Sequence, residues 1–421
     1  MIFKISLNYQ SMKDFKTIKI ICEENSIISS KVIDEFLIYY AAGRNNLEHD
    51  MDQRFAVYKH INSKFQKEWI NRLKAQYIAH KVFKKDGLIK NFLTHSALKN
   101  LIIKERNYLE FQSEHPWRFS FSTIKNQPAE NFYIMEDVFS HEEFLLYSPG
   151  ITKTLESQSI ILWLNLIAYN GSCCQSFGPI SGYKSFEPDD IFFFASELNP
   201  NIADEEELLA NLEYNPIPYM MLLSGANYPL IYNNEDQLIN VMAEYELDDM
   251  NTKNLAKSFK TEYNKGVYRL SLKNWSEPPH FSQAYFDENE KVILLSAMTD
   301  SGFKALVEGL NEYGYNLSFD PFLRVNLTML TTASDILQRK IKLNKYEHLF
   351  TKETSPSEQE NLDKLNSLLK FVMPDINAGR KPDIEVLAKK AGVDIDTAKD
   401  LIEQIMGKFG NMDNHKKKKL R

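Results

Sequence analysis

Between Tyr58 and Leu73 the bulky apolar residues Tyr58, Ile61, Phe65, Trp69 and Leu73 recur at spacings of three and four. Lys59, Lys64, Lys67, Arg72 and Lys74 fill the other faces. A period of about 3.6 residues gathers such positions into one stripe, so the pattern predicts an amphipathic helix over 58–73. The first 110 residues read as mostly helical, with Asp86-Gly87 as a break. Near "EHPWRFSFS" the period drops to two: His115-Pro116 ends the helix and 117–122 alternates as a strand does. "NFYIMEDVFSHEEFLLYSPG" reads as a hairpin turning at 140–143. "IILWLNLIAYNG" has the length of a buried strand or a short core helix, and periodicity does not choose between them. Ser185, then Pro188 and acids, predict a helix start that Asn199-Pro200 brings to an end.

Further along, "DEEELLANLEY" and "NEDQLINVMAEYEL" predict helices. "GVYRLSLKNW" alternates, with Tyr268, Leu270 and Leu272 on one face, and "HFSQAYFDENEKVILLSAM" predicts a hairpin turning at 287–290. A helix from Asp300 to Gly314, a strand in "PFLRVNLTML" and a short helix and strand in "TTASDILQRKIKLN" follow. Polar "KETSPSEQEN" reads as a linker. After it come a helix, "LDKLNSLLKFV", a break at Pro374 and two more short helices.

The fold class this predicts is α+β and multidomain, as a length of 421 residues also suggests. A basic helical region covers 1–112 and a central antiparallel β-rich part covers 113–200. An α+β unit with an acidic start covers 201–350. A linker over 351–360 leads to a three-helix module with a basic tail over 361–421.

Charge sharpens this division. The net charge of −7 conceals a block, 51–110, with 13 basic against 5 acidic residues. It also conceals a stretch, 186–250, with 15 acids and no Lys or Arg. Such a stretch reads as a solvated face, as a counterpart for the basic helices, or as a docking surface for a basic partner. The basic block reads as a solvated face or as a phosphate-binding surface for nucleic acid. No signal segment is visible at the N-terminus, and the longest apolar run, from Ser159, is too short to span a bilayer. Three cysteines, two of them adjacent, give no disulfide framework. The expectation is a cytoplasmic protein with no membrane partner.

Candidate chemistry centres on "NGSCCQSFGPISGY". A thiol nucleophile needs a cation, a histidine or a helix N-terminus to lower its pKa. His141 is 32 residues from Cys173, and zinc needs paired cysteine spacings that Cys22 alone does not complete. Core or loop packing is therefore the favoured reading of Cys173 and Cys174. Catalysis near Cys173, Cys174 and His141 with the acids at 187–190 is the rival. No phosphate-cradling glycine loop, nucleophile elbow or metal-spaced histidine pair occurs, so the sequence calls for no cofactor or metal.

Near the C-terminus, "IEVLAKKAGVDIDTAKDLIEQI" places Leu387 and Ala388 on a first helix, Gly392 at a turn, and Ala398 and Leu401 on a second helix. Over about 25 residues this resembles the bacterial helix-turn-helix family. The resemblance implies a three-helix fold whose second helix would read DNA. That helix here offers Asp394, Asp396, Asp400 and Glu403 against Lys399 alone, which would repel phosphates. Basic groups lie instead at Arg380, Lys381, Lys389, Lys390 and at Lys416, Lys417, Lys418 and Lys419. The expected function is a non-enzymatic binding or regulatory protein that docks protein partners, with association with nucleic acid, through 51–110 and the C-terminal tail, as an alternative.

Overall fold

The computed structural model describes residues 14–44, 46–233, 236–273, 275, 281–350, 356–377 and 380–403. The chain is a mixed α and β protein with separate sheets.

Helix α1 (Phe15–Ser29) continues through a π-helical stretch, Ser30–Leu37, into Ile38–Ala42. Then come α2 (Leu47–Val57), α3 (Lys67–Phe83) and α4 (Ile103–Glu114). The single helix expected over 58–73 is two. A short helix, Lys59–Asn62, ends, and Gln66 takes an extended conformation that starts α3 afresh. The apolar stripe survives the break, because Ile61 and Leu73 are buried in one core and Tyr58, Phe65 and Trp69 pack against it.

Five strands then close a barrel: β1 (Arg118–Ala129), β2 (Phe132–Asp137), β3 (Glu143–Tyr147), β4 (Leu162–Tyr169) and β5 (Cys174–Tyr183). The run "IILWLNLIAY" is thus a strand. The β-rich part is not antiparallel throughout: β3 and β5 run parallel, with Leu146 opposite Cys174, and this pairing completes the ring. Phe119, Phe121, Leu164 and Leu166 point outward into the core shared with the helices. Tyr133, Met135, Phe144, Leu146, Trp163 and Ile167 fill the interior. Ser120 and Ser122, the polar half of the alternation, also face inward and are buried, opposite Asn165 and Asp137.

Helix α5 (Pro149–Leu155) bridges β3 and β4, and α6 (Pro188–Leu198) and α7 (Glu205–Tyr214) follow the barrel. The cap of α6 is Glu187 rather than Ser185, and Asp190 in the first turn accepts from the Glu187 backbone N–H at 2.8 Å. The next correction is larger. "NEDQLINVMAEYEL" is not a helix but contains β6 (Ile239–Glu246), with Ile239, Val241 and Ala243 buried on one face. It joins β7 (Phe259–Asn264), β8 (Val267–Leu272), β9 (Ser282–Asp287), β10 (Val292–Ala297) and β11 (Leu323–Asn326). The order is β11-β6-β10-β9-β8-β7, antiparallel at every pairing. Helix α8 (Asp300–Asn311) covers one face, burying Phe303, Leu306 and Leu310. The strand in "PFLRVNLTML" stops at Asn326, and α9 (Leu327–Leu337) begins at once; no strand follows it in 338–345.

The first core runs from Ile28 to Ile336, so helices, barrel and α9 share it, while the six-stranded sheet has its own. Of the expected linker, 351–355 lies outside the described residues and 356–360 opens α10 (Pro356–Asn377), which runs through Pro374. A proline this close to a helix end removes one late hydrogen bond without ending the helix. Helix α11 (Ile384–Ala391) stops at Gly392, which is left-handed at φ 69°. A last helix covers 395–403. Leu368, Val372, Ala388, Ala398 and Ile402 bury one another between these three helices.

Candidate functional site

Two glutamines tie the helical block to the barrel. On α3, Gln76 Nε2 donates to the carbonyls of Phe177 and Pro179, at 2.8 and 3.0 Å. Those carbonyls turn outward because β5 slips register opposite β4 between Leu164 and Leu166. Gly178, at φ 73°, permits this close approach, since a Cβ there would lie 3.1 Å from Gln76 Cβ. On α4, Gln112 Nε2 donates to Tyr169 O at 3.0 Å, while its Oε1 accepts from Trp117 Nε1 at 2.6 Å.

Between these ties lies a cleft of about 430 Å³, bounded by α1, α3, α4 and the barrel edge. Asp34, Arg72, Tyr108, Asn170, Gln175 and Ser176 line it. Neither Asp34 nor Arg72 closes an ion pair among the described residues. Burial pushes the Tyr108 hydroxyl up to about 12, against a hydrogen bond with Ser29 that pulls it down. A second hollow of about 570 Å³, running towards Tyr147 and Ser148, shares Ser26, Gln175 and Ser176 with the first.

The turn that the sequence singled out forms the end wall. Asn170 Oδ1 accepts from the backbone of Ser172 and Cys173, and its Nδ2 donates to Gln175 Oε1 at 2.7 Å. Gln175 Nε2 in turn donates to Cys22 O and Ser26 Oγ on α1. Cys173 is buried with its sulfur 3.3 Å from that of Cys22. The hydrogen bond with Cys22 and burial together hold Cys173 protonated, far above the usual thiol value. Cys174 points the other way, into the barrel interior, where burial raises it to about 12. His141 sits in the turn between β2 and β3 at φ 55°, exposed, 3.5 Å from Glu205. The structure therefore joins Cys173 to Cys22 and Asn170, and His141 to Glu205. Of the acids at 187–190, Glu187 pairs with Arg324 at 2.7 Å and Asp190 accepts from Asn326.

The acidic stretch meets cations mostly from later in the chain. Besides Glu187, Glu197 pairs with Arg339 and Glu244 with Lys345. The basic block reaches it through His80, 2.6 Å from Glu213, and through Lys81, which donates to Tyr214 O. His80 is fully buried, which pulls its pKa down against the pull of Glu213. Near the C-terminus, Arg380 clasps Asp375 and Lys390 lies 4.2 Å over the Phe371 ring. Lys381 and Lys389 are exposed, and Lys416, Lys417, Lys418 and Lys419 lie outside the described residues. Asp394 accepts from the backbone of Asp396 and Thr397, capping the last helix.

The sequence reading counts Cys22 as the third thiol but neither sets it beside Cys173 nor reveals the cleft. The one local signal was Asn170-Gly171, a turn dipeptide that needs the left-handed Gly171 at φ 93°. No three His, Cys, Asp or Glu side chains gather to hold a metal among the described residues. No helix among them is long and apolar enough to cross a membrane. The chain matches no protein family, no curated protein and no solved structure.

Proposed function

We propose that the protein is a non-enzymatic binding and regulatory protein that takes a small polar molecule in the cleft between α1 and the barrel. The observation that carries this reading is the convergence there of one acid, Asp34, one cation, Arg72, and the amides Asn170 and Gln175. These come from three separate parts of the chain, between positions 34 and 175, and the volume suits a small ligand. A guest bearing both charges, such as an amino-acid-like zwitterion, would satisfy both ends. The raised thiols of Cys173 and Cys174 and the separation of His141 from them favour binding over thiol catalysis. The acids opening α7, Asp204 to Glu207, are exposed and offer a docking face to a basic partner. The three-helix, helix-turn-helix-like module is read as a second docking element. Calorimetry against a panel of amino acids, with neutral polyols as controls, tests the cleft. A zwitterion binds, and Arg72→Ala weakens it by at least about tenfold. Equal binding by the variant, or no binding by the whole panel, refutes the reading.

A second reading, a cytoplasmic nucleic-acid-associated role, draws on Lys59, Lys67, Lys85, Lys90 and Lys99, all exposed in the helical block. Contacts to phosphates predict affinity for a short DNA duplex that falls steeply with added salt. Absence of binding at low salt ends that reading.

A further inference from the structure

Cys22 and Cys173 stand 151 positions apart in the chain, yet α1 and the turn into β5 bring their sulfurs to 3.3 Å. We propose that they are a peroxide-oxidisable pair, and that their disulfide fastens α1 to the β4–β5 turn. The inference is independent of what the cleft binds.

The surroundings favour this bond over its rivals. Both side chains are buried, among Ile18, Phe132, Leu145 and Tyr147. Bulky disulfides such as oxidised glutathione are thereby kept away, while peroxide is small enough to reach the pair. Asn170 Nδ2 lies 3.3 Å from the Cys22 sulfur and 3.7 Å from that of Cys173, a donor placed to stabilise negative charge on sulfur. Hydrogen bonds from Cys173 and Asn170 pull Cys22 below the ordinary thiol value, so it is the first nucleophile. The neighbouring Cys174 faces the barrel interior, and a bond between adjacent residues would require the strand start to twist.

The steps balance with hydrogen peroxide as oxidant. The Cys22 thiolate attacks one peroxide oxygen, and the O–O bond breaks. The departing hydroxide takes up the proton that the thiol released and leaves as water, with Cys22 as sulfenic acid. The Cys173 sulfur then attacks the Cys22 sulfur: the S–S bond forms, the S–O bond breaks, and hydroxide leaves with the Cys173 proton as a second water. Two thiols lose two electrons and two protons, and peroxide becomes two waters. Helix α1 supplies Asn25, Ser26 and Ser29 to the cleft, so the cross-link fixes that wall.

The experiment treats the reduced full chain with hydrogen peroxide, then counts thiols after denaturation and maps tryptic peptides without reductant. The count is expected to fall from three to one. The peptide 20–31, with Cys22, should run joined to 154–184, which holds both Cys173 and Cys174, at a mass two hydrogens lower than their sum, and fragmentation of the joined peptides should place the bond on Cys173. Closing so long a loop should raise Tm by several degrees, reversibly with dithiothreitol. Cys174→Ser keeps the joined peptides, and Cys22→Ser abolishes the rise in Tm. Mapping is done on the unmutated chain, so the outcome does not depend on a variant folding. An unlinked 20–31 peptide, whether its thiol is intact or overoxidised, or a Cys173–Cys174 bond, overturns the inference.

Discussion

Replacing Asp190 with alanine is expected to destabilise the protein by about 3–5 kcal/mol, among the largest effects of any single side chain here. Asp190 is 1% exposed and accepts three hydrogen bonds. Glu187 N and Asn326 N donate at 2.8 and 2.7 Å, and Asn326 Nδ2 donates as well. The carboxyl thus caps α6 and at the same time grips the end of β11, where the six-stranded sheet meets the helical core. Alanine would leave the backbone donors of Glu187 and Asn326 unpaired in the interior and Asn326 Nδ2 with Ser185 O alone, which costs far more than the net value of the bonds. Asparagine retains one oxygen acceptor and should cost about 1–2 kcal/mol. Urea midpoints of the two variants give the comparison, and an alanine variant within about 1 kcal/mol of the parent would refute the account.

Burial also raises the pKa of Asp190 to about 6, outweighing these hydrogen bonds. The unfolded value is about 4, so the folded state holds the proton more tightly between those limits. This residue's contribution to stability therefore falls as pH rises from about 4 to about 6, by at most about 1.4 kcal/mol per pH unit, and levels off above. The stability difference between the parent and Asp190→Asn, followed across that window, isolates it from the other carboxylates.

What the sequence shows plainly is whatever a few neighbouring residues decide among themselves. Asp204 caps α7, as the acidic start of "DEEELLANLEY" requires. The hairpins of β2 with β3 and of β9 with β10 turn where their polar residues fall. β6 is misread because Leu238, Met242 and Tyr245 fall at helical spacing, whereas Ile239, Val241 and Ala243 keep period two. Pairing with β10 and β11, more than 45 positions away, decides in favour of the strand. The same limit applies to chemistry. Nothing in a linear reading sets Cys22 beside Cys173, or Arg72 across a cleft from Asn170, since barrel closure makes those neighbours. Alternation in "WRFSFS" marks a strand correctly, but the barrel buries the serine face that an open sheet would leave wet. Charge counting likewise finds the acidic stretch without finding its partners, because Arg324, Arg339 and Lys345 lie beyond it in the chain.

The carboxyl that receives one of those buried serines carries the second large effect. Asp137 is fully buried at the end of β2. Its Oδ2 accepts from Ser120 Oγ at 2.6 Å and from Arg118 Nη1 at 3.2 Å. Its Oδ1 accepts from Phe139 N and Ser140 N, which shapes the turn that holds His141 left-handed. One side chain thereby joins β1 to β2 and to the turn between β2 and β3, and Arg118 continues the link to Glu142 at 2.8 Å. Asp137→Ala should cost about 3–5 kcal/mol, since it orphans a buried hydroxyl, two backbone donors and part of a guanidinium. Asp137→Asn, still an acceptor for the turn, should cost less. In the Asp137→Ala variant, hydrogen exchange at the Phe139 and Ser140 amides should quicken well beyond what global destabilisation alone predicts. If those amides keep their protection relative to the rest of the barrel, the turn is being held by something other than Asp137.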